Sequence, residues 1–390
     1  MEAKETQAAC PACGFKATPS DTEGRAVGRA AAPVAYFAFN RPAHTKASLA
    51  SLASNDLASQ TDLFAFVDGA RNNEDDAAIE EVCRLLSDAR VHFRSLTIDR
   101  RDQNVGLANS ITAGVTRVVG RYGKLIVCED DLEVSPVFLR YMNDALDHYK
   151  DIKKVWHITG FAETLDAHRP DESFFCRAMN CWGWATWDDR WRHFEKNPFQ
   201  LIKEFSPSMI RRFNLDGIED WWSQVLANAN GTKDTWAIFW YATIFQKNGL
   251  CLQPYNSFVR NNGWDGTGVN CPASQSNGRT APLNAKGVFT APAEVVESEF
   301  GVSLLKQFFC DQAKAQRDEA IASRAAALVE RDAALARRDA ALRERDTALG
   351  ERDTALGERD AMLTSTAWRL TKPLRDFKEL VAGRPKAGQS

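Results

Sequence analysis

Three short apolar runs constrain this chain most, Val34–Phe39, Leu63–Val67 and Leu125–Cys128, and Phe93–Ile98 reads as a fourth short strand. Each has the length of a buried strand and is too short for a core helix. Between them, His44–Leu57, Ala77–Ser87 and Asn109–Val119 show helical periodicity. Strands alternating with helices build a parallel, doubly wound sheet, because each crossover helix must pack back on the sheet. The expected fold class is therefore α/β.

A parallel sheet gathers the carboxyl ends of its strands on one rim, where ligands of open α/β sheets collect. Here those ends carry Asn40-Arg41, Asp68-Gly69 and Glu129-Asp130-Asp131. Crowded carboxylates repel one another unless a cation shares them. Hard oxygen ligands in small number suit Mg²⁺ or Mn²⁺, which keep positions open for phosphates. Arg41 can grip a phosphate in a bidentate way, and the helix opening near Asn109 can offer N–H groups to an anion. Together they point to a nucleotide-diphosphate site. Taken singly, a solvated acidic turn, a surface arginine and a turn-forming Asp before Gly69 account for the same residues. The chain has no GxGxxG after its first strand and no GxxxxGK[ST], which argues against dinucleotide and P-loop sites.

Further along, Phe138–Lys150 has one apolar helical face, and Val155–Gly160 reads as a strand with His157 packed inside it. Eight of the eleven tryptophans fall between Trp182 and Trp240. Gly183 interrupts the densest stretch, so it is no simple amphipathic helix. Two readings stand: core packing, or a flat wall for a sugar ring, built from Trp182, Trp184, Trp187 and Trp236. Asp188 and Asp189 can cap the helix after them. Asp234 is either the N-cap of the next helix or a general base that takes the proton of an attacking hydroxyl. After a strand at Leu250–Pro254, the polar, glycine-rich run Ser257–Gly268 is long enough to fold over a ligand, or is a plain surface loop.

In order, Phe-Asn-Arg-Pro, Val-Asp-Gly, Asn-x-Gly-x-Ala-Asn, Glu-Asp-Asp-Leu-Glu-x-Ser-Pro, Trp-Gly-Trp-Ala-Thr-Trp and Asn-x-Gly-x-Asp-Gly-x-Gly span residues 32–275. This order resembles bacterial sugar transferases of the GT-A fold, related to glycosyltransferase family 2 and the N-acetylglucosaminyltransferase I group. The resemblance implies inverting, metal-dependent transfer of a hexosyl or N-acetylhexosaminyl group from a nucleotide-sugar, a UDP-sugar being favoured, to a glycan or glycolipid in surface polysaccharide synthesis. It implies that Arg41, Asp68 and Asn104 contact the nucleotide, Asp130 the ribose or sugar, and Asp131 the metal. It places the base at Asp234. Where such loops often end Gly-x-His-Cys, this chain has Gly268-Val269-Asn270-Cys271, and Asn270 cannot titrate as histidine does. An inactive GT-A scaffold and a nucleotidyltransferase are the competing readings.

Hydrophobic content of 44% and charge of 26% describe a soluble globular protein, and the net charge of −3 gives no field for nucleic acid. No apolar run reaches the ~18 residues of a membrane span. The start lacks a basic-then-apolar export signal. Nine scattered cysteines suit reduced thiols. The expected location is cytoplasmic, with peripheral contact at the inner face of the membrane. Residues 1–31 read as a disordered leader, in which Cys10 and Cys13 lack the second pair that would complete a zinc ribbon. Residues 32–310 read as the GT-A domain. In 311–363, leucines recur every seven residues from Leu328 to Leu363, with Arg–Asp pairs in step. That period predicts a left-handed coiled coil and a homo-oligomer with Arg–Asp contacts between chains, or a solvated spacer helix. Residues 364–390 form a basic tail with an apolar side, read as anionic-lipid-binding or packed on the enzyme; Pro373 is expected to break its helix.

Overall fold

The computed structural model describes residues 31–163, 169, 172–268, 282–286 and 289–381. The leader with Cys10 and Cys13, the Asn270-Cys271 pair and residues 382–390 lie outside them. The chain divides into two compact units, residues 1–311 and 312–390.

The first unit opens with β1 (Val34–Ala38), α1 (Pro42–Ala53), β2 (Asp62–Val67), α2 (Asp76–Ala89), β3 (Ser95–Arg100), α3 (Leu107–Tyr122) and β4 (Lys124–Glu129). Then come β5 (Leu132–Val134), α4 (Phe138–Tyr149), β6 (Val155–Thr159), β7 (Ser173–Cys176), β8 (Trp184–Trp187) and the short α5 (Asp188–Trp191). Helices α6 (Pro198–Glu204), α7 (Pro207–Phe213), α8 (Trp222–Ala229) and α9 (Ala237–Gln246) precede β9 (Leu250–Pro254) and β10 (Val259–Asn261). Eight strands form one sheet in the order β3-β2-β1-β4-β8-β6-β9-β7, and β10 pairs antiparallel with β5.

The half β3-β2-β1-β4 is parallel throughout, as the alternating pattern predicts. Strands β1, β2 and β4 are buried on both faces, which is why they read as continuous apolar runs, whereas the edge strand β3 exposes Ser95, Thr97 and Arg100. On β1, Val34, Tyr36 and Ala38 join a core with Leu49, Leu52, Ile79, Phe138 and Met142. Ala35 and Phe37 face the other way, onto Ile111, Val115 and Trp184. Past β4 the sheet turns mixed. Strand β8 runs antiparallel to both β4 and β6, so β6 again points the same way as β4. The tryptophan segment therefore supplies a central strand.

Arg190 shows how this half is held. Its side chain is 2% exposed and lies over the Trp187 ring, 4.4 Å from the centroid. It pairs with Asp189 and donates to the carbonyls of Tyr149, Lys150, Ile152 and Val155. Those carbonyls close the end of α4 and the turn into β6, where a helix leaves acceptors unsatisfied and favours a cation. Asp188 and Asp189, expected as caps, instead bind Arg192, and Arg190 with Lys153.

In the second unit, α10 (Glu299–Thr364) is one continuous helix from its start in the first unit, and α11 (Thr366–Val381) follows. The heptad leucines are 39–44% exposed along α10. Within the chain each Arg–Asp pair closes between sequence neighbours at 2.7–2.8 Å. Such exposed pairs contribute about 0–1 kcal/mol. Pro373 sits inside α11 without ending it, against expectation.

Arg190→Leu should destabilise the first unit by about 3–5 kcal/mol, because four carbonyls lose a buried donor and Asp189 loses a partner. Chemical denaturation would measure this. Arg190→Lys should recover little, since an ammonium cannot span the same acceptors.

Candidate active site

The parallel half brings the ends of β1, β2 and β4 together, and the predicted residues separate into two groups there. In the first, Arg41 Nη2 lies against Asp130 Oδ1 and 3.0 Å from Asp131 Oδ2. Asp130 is 3% exposed and also accepts from the Phe39 N–H at 3.4 Å. Burial and the neighbouring Asp131 raise its pKa, and Arg41 opposes the rise. Glu129 feels burial and both aspartates, which push it up to about 8. Arg41 thus sets a positive charge against Glu129 and Asp130 and opposes the upward shift that burial gives them. Its Nη1 is buried with no hydrogen-bond partner. A buried guanidinium N–H without an acceptor calls for one.

Asp68 and Asn104 form the second group. Asp68, 6% exposed, accepts the N–H groups of Gly69 and Val105 on Oδ1 and of Gly106 on Oδ2. Asn104 donates to the Gly69 carbonyl at 2.9 Å. A Cβ on Gly69 would lie 2.3 Å from the Gln103 carbonyl carbon, so only glycine permits this approach. Asp68 therefore holds the loop that leads into α3, accepting N–H groups that precede the helix. Its buried carboxylate serves the loop.

The loop after β10 folds onto the first group. Asn262 N–H donates to the Asp131 carbonyl at 2.8 Å, and Gly263 N–H to Asn261 Oδ1 at 2.7 Å. A Cβ on Gly263 would meet Asp131 Oδ2 at 2.4 Å. His44 Nε2 lies 3.1 Å from Asp265 Oδ2 and 3.3 Å from the Asn262 carbonyl, tying the loop to α1. Trp264 meets Trp182 edge-to-face at 6.0 Å, Trp182 meets Phe161 at 4.5 Å, and Trp264 Nε1 is buried without a partner. The contacts of His44, Trp264 and Asp265 were not readable from sequence, because His44 and Asp265 lie more than two hundred residues apart and Trp264 lies about eighty residues from Trp182.

The tryptophan wall needs correction. Trp184, Trp187 and Trp236 are 0%, 4% and 4% exposed and belong to the core. Trp184 stacks on Trp236 and on His157. His157 is the packed histidine expected: Nε2 lies 2.8 Å from the Asn180 carbonyl, and Nδ1 accepts from Trp240. Burial lowers its pKa to about 3, so the ring is neutral. Of the four proposed wall residues only Trp182 is half-buried at the rim.

Asp234 is exposed, pairs with Lys196, and caps nothing; Trp236 holds the N-cap position of α9. Among the described residues no hydrogen bond or ion pair joins it to the Arg41 group. A second acid is placed differently: Glu163, just past β6 and two residues beyond Phe161, is partly buried. Burial and nearby Glu219 push it up to about 7. The apolar-to-acid step from Phe161 to Glu163 was its only signal in sequence.

Asp131 fits a hard divalent cation in one respect: its carboxylate, 12% exposed, is the acid of the pair that reaches the rim. No group of three or more His, Cys, Asp or Glu suited to a metal occurs among the described residues. A cation here would have one protein carboxylate, with water and ligand oxygens completing its shell, as Mg²⁺ and Mn²⁺ accept.

No protein-family model and no curated sequence matches the chain. Solved structures that overlap it include TarS of S. aureus, at 10% identity and a TM-score of 0.28, covering 36% of this chain and 24% of TarS. The galactosyltransferase LgtC, in complex with donor and acceptor sugar analogues, overlaps at 10% identity and 0.29, over 54% of this chain and 70% of LgtC. The glycosyltransferase GlyE of Streptococcus pneumoniae TIGR4 does so at 12% and 0.30, over 57% and 45%. This chain thus spans about a quarter of TarS and under half of GlyE. Overlaps this partial carry no argument about what the chain does.

Glu163 has a measurable consequence. Its folded pKa lies above the unfolded value near 4.5, so its stabilising contribution is complete below that pH and is lost as pH rises through 7. Glu163→Gln should flatten the fall in unfolding free energy between pH 5 and 8 by about 3 kcal/mol, read by urea denaturation at both pH values.

Proposed function

We propose that the first unit is an inverting, metal-dependent glycosyltransferase that moves a sugar from a nucleotide-diphosphate donor to a hydroxyl of a glycan or glycolipid. The observation that carries this reading is Arg41: one nitrogen bridges Asp130 and Asp131, and the other is buried without an acceptor. A diphosphate oxygen supplies that acceptor with charge. Asp130 positions the guanidinium from behind. Asp131 would hold Mn²⁺ or Mg²⁺, which when bound neutralises charge on the leaving diphosphate. Trp182 and Trp264 present aromatic edges and an unsatisfied indole N–H for a sugar. The loop from Asn261 to Asp265 lies over Asp131 and keeps water from the donor.

The acceptor hydroxyl must lose its proton as it attacks the anomeric carbon and the bond to diphosphate breaks. Asp234 fills that role in the motif resemblance and must leave Lys196 to do so. The chain's surface-polysaccharide role and cytoplasmic setting belong to the same proposal. So does self-association through the α10 leucines. The competing reading is an inactive scaffold, in which Arg41 merely neutralises the acids.

Calorimetric titration of UDP and of GDP, with and without Mn²⁺, separates the two. Metal-dependent binding of UDP is expected. Arg41→Ala should weaken it about 10- to 100-fold, the worth of a charged hydrogen bond, and Asp131→Ala should remove the metal dependence. Gly263→Ala should also lower affinity while leaving the thermal midpoint nearly unchanged. Absence of binding by either nucleotide under any metal condition leaves the scaffold.

A further inference from the structure

Helix α11 carries an apolar stripe that nothing in the described residues covers. Leu370, Leu374, Phe377 and Val381 are 75%, 70%, 68% and 70% exposed. Their steps of four, three and four residues place them on one side of the helix. The helix is a separate segment: Ser365 ends the long helix before it, and its Oγ accepts the Trp368 N–H at 3.1 Å as a cap. The heptad leucines of α10 repeat once in seven residues at 39–44% exposure, so α11 holds a denser and more exposed apolar face.

Cations occupy the rest of its circumference. Arg369, Lys372, Arg375 and Lys378 stand against Asp376 and Glu379 over Thr366–Val381, four positive and two negative, a net of +2. Arg375 lies over the Trp368 ring, 3.5 Å from its centroid, and donates to the Trp368 carbonyl at 2.7 Å. The ring is thereby held beside a cation rather than in the stripe. In sequence, Arg384 and Lys386 follow with no acid among residues 382–390. No helix among the described residues is long and apolar enough to cross a membrane.

We propose that α11 binds along the surface of an anionic lipid bilayer, with Leu370, Leu374, Phe377 and Val381 in the acyl boundary and its cations among lipid phosphates. A short helix with bulky apolar residues on one side and Lys and Arg on the other suits that interface. Charge selects the occupant. Two copies of α11 would bring like-charged helices together, whereas an anionic leaflet attracts each cation near its surface. The inference is independent of the donor site in the first unit.

The test is co-sedimentation of the full chain with vesicles of phosphatidylcholine, and of phosphatidylcholine mixed with phosphatidylglycerol. Binding to the mixed vesicles is expected, falling as salt rises. Leu374→Asp combined with Phe377→Asp should weaken it at least tenfold. Arg369→Gln, Lys372→Gln and Lys378→Gln together should abolish the preference for the anionic lipid. Both sets alter exposed positions, and circular dichroism would verify that the helix persists. Equal pelleting of the aspartate variant and the parent chain overturns the proposal. So does failure of the parent to bind mixed vesicles, or light scattering in which the aspartates change only the oligomer mass.

Discussion

Asp130 is buried at the end of a parallel strand beside a second carboxylate and needs a cation against it, and Arg41 is that cation. The ion triad rests on topology. Strands β1 and β4 are neighbours and run the same way, so the residue three past Ala38 meets the residues just past Glu129. Burying such a group is expensive unless hydrogen bonds satisfy its remaining atoms. Asp130 has the Phe39 N–H, whereas Arg41 keeps one buried nitrogen unsatisfied. A group held so closely on one side and left open on the other suits a ligand better than stability alone.

Around that triad the chain spends polar groups on backbone. Asp68 holds the start of α3, Asn104 the turn after β2, and Arg190 the end of α4. These contacts have a shared cause. Loops at the rim leave the sheet, lose their ladder partners, and must find others to stay folded.

The second unit obeys different physics. A seven-residue leucine period with Asp and Arg between the leucines gives a helix with a narrow apolar line, and its side chains close ion pairs with their own neighbours. Glycine at 350 and 357 weakens it by about 1 kcal/mol each relative to alanine. Past Ser365 the apolar residues become denser and more exposed, on a helix that also carries cations.

Much of the first unit was legible in the residues. The three apolar runs and the short strand at Phe93–Ile98 became β1 to β4 with ends shifted by one or two residues, since buried parallel strands such as β1, β2 and β4 announce themselves as uninterrupted hydrophobic stretches. The meeting of Arg41 with the acid cluster followed from strand ends alone. The tryptophans were less readable. Composition cannot tell a ring inside β8 from a ring on a wall, and Trp184 and Trp182 differ by two residues and by the whole depth of the core. Nor could sequence pair His44 with Asp265, place Glu163 near Glu219, or show that Asp68 faces its own loop. Local pattern, read over a few residues, determined which segments are strands and which helices. Burial and partnership arise from contacts between segments far apart in the chain, and only the tertiary structure decided those.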